Sequence, residues 1–195
     1  FIDLLMDLSS RFAGADHKEV DTHINYALKR IVDFFNADRG MLYKVLRSEG
    51  SIMVSARVEK GGDKTIPWLL DARGDFPWLF EEIVVRQKTV YIPSIDTLPP
   101  EAAQDRESLL VWETRSALFI PLSLRGSADL ILALGCRRDH PDWPECLISR
   151  LRLLGETLAR VLRRKDLEDE REESLQFEQL ITRTSADFAC AEPDQ

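Results

Sequence analysis

Apolar positions along the chain follow two periods, and the shorter of them marks strands. Residues 115–122 read Arg-Ser-Ala-Leu-Phe-Ile-Pro-Leu, a stretch too short for a helix. Side chains alternate between the faces of a strand, so Leu118 and Leu122 share one face and Ala117 and Phe119 share the other. Because both faces are apolar, we expect a central strand that is covered on both sides.

Similar runs elsewhere predict the neighbours that such a strand needs. Strand-like runs occupy residues 41–46, 52–58, 89–92, 116–122 and 130–136. The first two flank a turn that contains Gly50, a residue suited to positive φ, and therefore predict a hairpin. The last two are joined by the polar turn 123–127 and predict a second hairpin.

Short helices are predicted between the two hairpins. The stretch Asp-Phe-Pro-Trp at residues 75–78 begins a helix that we expect to be capped by Asp75 and to end near Gln87. Asp96 or Thr97 is expected to cap the next helix, over residues 99–111, because its prolines fit only a first turn.

Helical spacing of apolar residues predicts longer helices at both ends of the chain. One stripe runs from Phe1 to Phe12 and a second from Val20 to Phe35, with Asp16 and Glu19 placed like a capping box before the second. A long exit helix begins near residue 143, and its apolar residues recur at heptad spacing. These heptad positions are Leu147, Leu151, Leu154, Leu158 and Val161.

The exit helix continues into a strongly charged segment. Residues 163–173 hold ten charged residues and one apolar residue, Leu167. One interpretation is a solvated helix that leaves the globular domain, and the other is a dimeric coiled-coil connector.

The last residues resemble the first ones. Phe, Leu, Ser, Phe and two Ala coincide when residues 177–191 are set against residues 1–15, an offset of 176. Similarity at a fixed spacing indicates a repeated unit, although unrelated amphipathic helices also look alike. Since the chain starts at Phe1 without a methionine, we expect it to be an excised segment of a longer protein.

Composition excludes several classes of function. The net charge of −8 argues against nucleic acid as a partner, because phosphate binding requires clustered Lys and Arg. No apolar run approaches the roughly 20 residues that span a bilayer, so we expect no membrane contact. The three cysteines are few and odd in number, which fits free thiols and a cytoplasmic location.

The sequence contains no convincing catalytic or metal-binding motif. Cys136, His140 and Cys146 form a faint cluster, but a closed zinc site needs four ligands at suitable spacing. A Gly-rich phosphate loop, a His-Glu-x-x-His motif and a Gly-x-Ser-x-Gly motif are all missing from the sequence. We therefore predict no catalytic residues, no metal and no enzyme activity for this segment.

Taken in order, these elements predict an α+β domain. Four stretches add a more specific pattern: Leu-Leu-Met-Asp-Leu-Ser-Ser-Arg-Phe at residues 4–12, Asp-Phe-Pro-Trp at 75–78, Val-Tyr-Ile-Pro-Ser-Ile-Asp at 90–96 with Leu-Pro at 98–99, and the strand 115–122. In this order they resemble the GAF sensor domains of bacterial signalling proteins such as sensor histidine kinases. The resemblance covers residues 1–165 and leaves residues 166–195 as a helical linker and the start of a second repeat.

This resemblance implies a central antiparallel sheet with the N-terminal and exit helices on one face. Loops and short helices would form a pocket on the other face, with Arg115 and Ser116 at its mouth. The candidate ligand-binding residues are Trp78, Ile92, Asp96, Leu109, Trp112, Arg115, Ser116 and Phe119. Most of these residues suit a packing or capping role equally well, and Arg115 is the strongest candidate for a polar contact with an anionic ligand.

Particular chemistries of the family find little support in this sequence. Bilin-binding members carry a Cys-His pair about ten residues before the equivalent of Arg115, where this chain reads Gln-Asp-Arg-Glu at residues 104–107. The signature of cyclic-nucleotide-binding members is missing, and Cys136 and Cys146 lie outside the pocket segments that methionine sulfoxide reduction would use. The cofactor, if there is one, is left open.

The resemblance implies a non-catalytic, cytoplasmic sensor domain of the two-component type. It would bind an unknown small molecule and relay the signal through its C-terminal helix to an output domain downstream in the same chain. The alternative is a dimerisation and signal-transmission spacer without a ligand. Under either reading we expect a homodimer formed through the N- and C-terminal helices.

Overall fold

The fold is taken from a computed structural model that describes residues 2–13, 19–61, 66–123, 128–139 and 143–190. The predicted cap Asp16, most of the turn 123–127, His140 and residues 191–195 lie outside this description. Within it, the helices are α1 (Ile2–Ala13), α2 (Val20–Phe34), α3 (Ala72–Asp75), α4 (Pro77–Phe80), α5 (Ala103–Val111) and α6 (Glu145–Cys190). The strands are β1 (Arg39–Leu46), β2 (Ser51–Glu59), β3 (Leu69–Leu70), β4 (Val90–Ile92), β5 (Ser116–Ser123) and β6 (Ala128–Cys136).

Six strands form one antiparallel sheet in the order β3-β2-β1-β6-β5-β4. Both predicted hairpins are confirmed, since β1 pairs with β2 and β5 pairs with β6. β5 is an interior strand as predicted, since it pairs with β6 on one side and with the short edge strand β4 on the other, while β1 and β6 occupy the middle of the sheet. Both faces of β5 are covered, which explains its apolar character.

The alternation predicted for β5 is confirmed by its burial. Leu118, Ile120 and Leu122 belong to a core between the sheet and helices α1, α2 and α6. Ala117 and Phe119 face a second core, which lies between the sheet and the segments around α3, α4 and α5. The sheet therefore separates two apolar layers, and the long helices lie on one side of it.

Two glycines allow the long helices to lie directly on the sheet. A Cβ atom at Gly40 of β1 would lie 2.4 Å from Val32 Cγ2 of α2, and one at Gly155 of α6 would lie 2.8 Å from Leu122 Cδ2 of β5. Both distances are shorter than van der Waals contact, so a side chain at either position would push the helix and the sheet apart.

The short helices on the other face are capped differently from the prediction. Asp75 was expected to begin a helix, but it ends α3, whose own N-cap Asp71 accepts a 2.8 Å hydrogen bond from the Gly74 N–H. The following helix α4 begins at Pro77 and continues as a π-helical turn over Glu81–Val85. Its first N–H groups find their acceptor on another element, the buried Asp105 of α5.

Asp105 caps α4 from outside. Its carboxylate oxygens accept hydrogen bonds from the Trp78 N–H at 3.2 Å and the Leu79 N–H at 2.8 Å, and its exposed fraction is 0%. Burial is the largest influence on this carboxyl group and raises its pKa, whereas the two backbone hydrogen bonds oppose the shift. A single side chain thus ties α4 to α5.

The exit helix leaves the domain at a defined point. It begins at Glu145, two residues after the predicted start, because the Trp143 indole is packed into the core and its Nε1 donates to the Phe35 carbonyl at 3.3 Å. Lys44 forms a 2.9 Å ion pair with Asp166 near the point of departure. Among the side chains described in α6, none is buried beyond Leu162.

In the described ranges, no helix is both long and apolar enough to cross a membrane.

Candidate functional site

A cavity of about 80 Å³ lies between the sheet and the short helices. Its floor is formed by the sheet, where every second side chain of a strand points to the cavity. These floor residues are Met41, Tyr43, Ala117, Phe119, Ile131 and Ala133. The floor is apolar because β1, β5 and β6 carry apolar residues on both faces, including the face that is turned away from the long helices.

The cover of the cavity is built from α4, the π-helical turn and α5. Leu79 and Phe80 of α4, Ile83 and Val84 of the turn, and Leu109 of α5 all contribute to the lining. π-Helical turns are uncommon and often occur at functional sites. Because Asp105 joins α4 to α5, the cover is held together by hydrogen bonds as well as by apolar contacts.

One end of the cavity is polar. Arg39, at the start of β1, is 3% exposed, and its Nη1 donates to the Trp112 carbonyl oxygen at 2.7 Å. The buried Thr114 hydroxyl donates to the same carbonyl at 3.3 Å. Arg39 Nη2 is buried and has no hydrogen-bond partner among the described residues. The cavity lining therefore includes a guanidinium group with a free donor.

The surroundings of Arg39 only partly compensate its charge. Burial lowers the pKa of the guanidinium, and the nearby Glu59 carboxylate opposes that shift while Arg137 reinforces it. Glu59 lies opposite Arg39 in the pairing of β1 with β2, yet its buried Oε1 also has no hydrogen-bond partner among the described residues. An arginine stays protonated in spite of such a shift, so the site holds a buried positive charge.

The strand geometry makes room for the Arg39 side chain. Gly135 of β6 lies opposite Arg39, and a Cβ atom there would be 3.0 Å from Arg39 Cγ. Further along the same face of β1, the Tyr43 hydroxyl donates to Met41 Sδ at 2.8 Å. Burial raises the pKa of this phenol. Tyr43 therefore stays neutral and adds no charge to the cavity.

Three of the eight predicted site residues line the cavity, namely Leu109, Trp112 and Phe119. Ile92 is buried in the same apolar layer and Trp78 packs partly buried against it, but neither is among the lining residues. These two side chains belong to the apolar layer around the cavity without lining it.

The polar candidates at the predicted pocket mouth lie elsewhere. Arg115 is 38% exposed, and its Nη2 lies 3.2 Å from Asp96 and 3.3 Å from Asp139. The hydrogen bond with Asp139 raises the pKa of this guanidinium. Asp96 also pairs with Arg106. It does not cap the helix that follows, because the turn Pro100–Ala102 and α5 have no side-chain cap, and it lies instead in a short 3-10 turn, Ile95–Thr97, whose cap Ser94 accepts from the Asp96 N–H at 3.3 Å. Arg115 and Asp96 thus form part of a surface ion cluster.

Ser116 faces away from the cavity for a simple geometric reason. It shares the parity of Leu118, so its side chain points to the layer of the long helices, where Oγ donates to the Arg138 carbonyl at 2.9 Å. Arg39 takes its place as the buried polar residue at the cavity. The sequence does contain a signal for it, because Arg39, Met41 and Tyr43 share one strand face once β1 is extended by two residues.

Metal and thiol chemistry find no site in the part of the chain that the structure describes. No group of three or more His, Cys, Asp and Glu residues there is arranged to hold a metal ion. Cys136 is buried in β6 and burial raises the pKa of its thiol, whereas Cys146 is exposed on α6. Neither thiol is among the residues that line the cavity.

Comparison with solved structures defines the fold. The chain is similar to the phycoerythrobilin-bound GAF domain of a cyanobacterial phytochrome, with 17% identity, a TM-score of 0.67, and coverage of 86% of this chain and 96% of that one. It is similar to the GAF domain of an Acinetobacter phosphoenolpyruvate-protein phosphotransferase, with 14% identity, a TM-score of 0.66, and coverage of 87% and 96%.

An enzyme also shares this architecture. The type II free methionine-R-sulfoxide reductase of Thermoplasma acidophilum is 16% identical, with a TM-score of 0.57 and coverage of 76% of this chain and 96% of the enzyme. No family model matches the sequence, and no curated protein matches it either. The six-stranded antiparallel sheet with its two helical layers is thus the GAF fold, and the expected α+β class is confirmed.

Proposed function

We propose that residues 1–165 form a regulatory sensor domain that binds a small molecule in the cavity, and that residues 166–195 hold a helical linker and the start of a second repeat. The proposal rests on one observation, the largely apolar cavity on the face of the sheet opposite the exit helix. Apolar pockets with a few convergent polar groups are the usual form of small-molecule sites. The bilin-bound phytochrome domain, which shares the fold, supports a ligand on this scaffold.

The size of the cavity restricts how a ligand enters. Its volume of about 80 Å³ is roughly half that of an engineered cavity of about 150 Å³ that binds benzene. A ligand of more than a few non-hydrogen atoms therefore requires α4 and the π-helical turn to move outward. Binding and displacement of the cover are then a single event, which is what a sensor requires.

A physical path leads from the cavity to the exit helix. Phe119 lies on the cavity floor, and Leu122, three residues further along β5, lies against Gly155 of α6. A shift of β5 caused by the ligand therefore acts on the helix across one strand. The ligand can bias α6 only by its difference in affinity for the two positions of the strand.

A ligand screen tests this function. A compound that binds the folded domain alone should raise the free energy of unfolding by about 1.4 kcal/mol at ten times its Kd. Thermal unfolding of the chain against a panel of neutral, anionic and cationic metabolites measures the effect. If no compound in the panel raises the melting temperature, the sensor proposal is wrong.

The remaining parts of the proposal concern the context of the domain. We infer that the domain is cytoplasmic and non-catalytic, and that an output domain follows α6 in the full protein. The free Cys136 and Cys146 suit a reducing compartment. The methionine sulfoxide reductase with the same fold makes an enzyme the competing reading, but neither of these thiols lines the cavity of this chain.

A second candidate function is dimerisation through the exit helix. Its exposed apolar residues Leu153, Leu167 and Ile181 are spaced by fourteen residues, and Phe177 joins them at heptad spacing. Such residues lie along one line of a helix, with Arg160 and Ser174 at the positions between them, and fit an interrupted seam of a two-stranded coiled coil. The line continues past Leu162, where the helix has left its own domain.

Sedimentation of two matched variants tests the dimer. The wild-type chain should be dimeric at tens of micromolar, and Leu167→Glu should shift it to monomer because a charge in the seam disfavours pairing. Leu175→Glu is the control, since Leu175 is equally exposed (48% against 46%) but lies off the line. A monomeric wild type, or equal effects of both substitutions, would contradict the proposed seam. Unfolding of the globular domain should be unchanged in both variants.

A further inference from the structure

The buried end of the cavity indicates the chemical class of the ligand, on the assumption that the proposed small-molecule function holds. Arg39 Nη2 is a buried donor without a partner in the described part of the chain, and Arg39 is among the residues that line the cavity. A buried unpaired donor destabilises a fold by about 1–3 kcal/mol, and more when it is charged. A bound acceptor at this position would remove that penalty.

The charge of Arg39 favours an anion over a neutral acceptor. The described residues offer Arg39 no ion pair, and its hydrogen bond to the Trp112 carbonyl is with a neutral oxygen. Glu59 lies on the neighbouring strand but outside the cavity lining, and the nearby Arg137 is itself paired with Glu113 at 3.4 Å. A negative group in the cavity would therefore be attracted by Arg39, and the attraction would be strengthened by the burial of that side chain.

The number of donors sets the charge of that anion. Arg39 Nη1 is already engaged, and the Thr114 hydroxyl is directed to the same Trp112 carbonyl. One free guanidinium nitrogen, Nη2, suits a carboxylate, whereas a phosphate carries more charge and three oxygens that need donors. The rest of the lining is aliphatic and aromatic, which suits an apolar chain or ring.

We propose that the cavity binds a small amphipathic monocarboxylate. Its carboxylate accepts a charge-assisted hydrogen bond from Arg39 Nη2, and its apolar part packs between Phe119 and Ile131 on the floor and Leu79 and Ile83 in the cover.

Isosteric pairs of probes test the proposal on the wild-type chain without any substitution. Hexanoate is compared with hexanamide, and benzoate with benzamide, by isothermal titration calorimetry and thermal unfolding. Each acid should bind at least about tenfold more tightly than its amide, because the carboxylate forms an ion pair with the Arg39 guanidinium whereas the amide oxygen offers it only a neutral acceptor. Equal affinity within both pairs would overturn the proposal.

Substitutions at Arg39 then assign the preference to that residue. Arg39→Met should abolish the preference for acids, and Arg39→Lys should keep part of it because the positive charge remains. Arg115→Met is the matched control, since Arg115 is exposed, and it should keep the full preference. An undiminished preference in Arg39→Met would show that another group binds the acid. If Arg39→Met fails to fold, the Lys variant and the wild-type pairs still decide the question.

The outcomes separate this inference from the sensor function on which it rests. If neutral panel compounds stabilise the domain but neither acid binds, the monocarboxylate class is wrong and the sensor function stands. If no compound of any charge stabilises it, the sensor function itself fails, and the monocarboxylate inference fails with it.

Discussion

Replacing Asp105 by alanine is expected to lower the free energy of unfolding by about 3 kcal/mol, because two buried backbone N–H groups lose their acceptor. These are the Trp78 and Leu79 N–H groups that begin α4. Since Leu79 lines the cavity, the same substitution should loosen the cover and weaken ligand binding. Urea unfolding of the wild type and the variant measures the stability loss.

Asp96→Ala provides the control for this substitution. Asp96 is an exposed carboxylate in an ion cluster with Arg106 and Arg115, and exposed ion pairs contribute about 1 kcal/mol or less. Its loss should therefore have a much smaller effect than that of Asp105. Similar losses for the two variants would show that the cap at α4 contributes little.

The pH dependence of Asp105 has a definite sign. Burial raises its pKa in the folded state above the unfolded value, so the folded state binds this proton more readily than the unfolded state. The contribution of Asp105 to stability is therefore greatest below the ordinary Asp value of about 4 and is lost as the pH rises through the folded-state pKa. Asp105→Asn cannot titrate, so its deficit relative to the wild type should grow as the pH falls from 7 toward 4. A deficit that shrinks on acidification would contradict the raised pKa.

Gly40→Ala is expected to destabilise the domain by about 2 kcal/mol through overpacking. The new Cβ would lie 2.4 Å from Val32 Cγ2 and 3.3 Å from Leu28 Cγ, both on buried side chains of α2. Val32 is β-branched and stiff, so it cannot swing aside as a long side chain would. Either α2 must move off the sheet or the strand must bend, and thermal or urea unfolding measures the consequence.

A second substitution separates overpacking from a general intolerance of alanine in β1. Val32→Ala removes the clashing methyl groups, so Gly40→Ala should be much less harmful in that background than in the wild type. We expect an interaction energy of at least about 1 kcal/mol in the double-mutant cycle, as is usual for residues in direct contact. Additive losses would exclude the steric explanation.

The sequence patterns that predicted the fold correctly were the hydrophobic periodicities of single strands and helices. Period-2 alternation predicted that Leu118 and Phe119 face different layers, and burial shows that they do. The exit helix buries Leu151, Leu154 and Leu158, three of the residues that its heptad spacing singled out, in the core of its own domain. In these cases the hydrophobic effect acts on each residue according to its position in the element, and no distant partner is needed.

The predictions failed where a partner distant in sequence decides the role of a residue. Asp75 looked like a helix cap because it precedes Phe-Pro-Trp, but the actual cap Asp105 comes from a different helix. Arg39 looked like a residue before a strand, and its burial depends on Gly135 and Trp112, about a hundred and about seventy residues away. Polar residues in a core need such distant partners, so local patterns do not reveal them.

The prediction that Ser116 lies at the pocket mouth failed for another reason, because the alternation of side chains along β5 already pointed to the other face. Its parity with Leu118 and Leu122 already placed it on the layer of the long helices. The family resemblance suggested that Ser116 lies at the pocket mouth, whereas the alternation of side chains along the strand directs it away from the pocket.

The alternation of β5 also separates two sets of constraints on the chain. Residues of odd number, such as Phe119, belong to the cavity, whereas those of even number, such as Leu122, belong to the packing against α6. Substitutions at the two positions therefore meet different neighbours, those of the cavity at Phe119 and those of α6 at Leu122. Because both side chains stand on one strand, a displacement of β5 is the way in which a change in the cavity reaches the packing against α6.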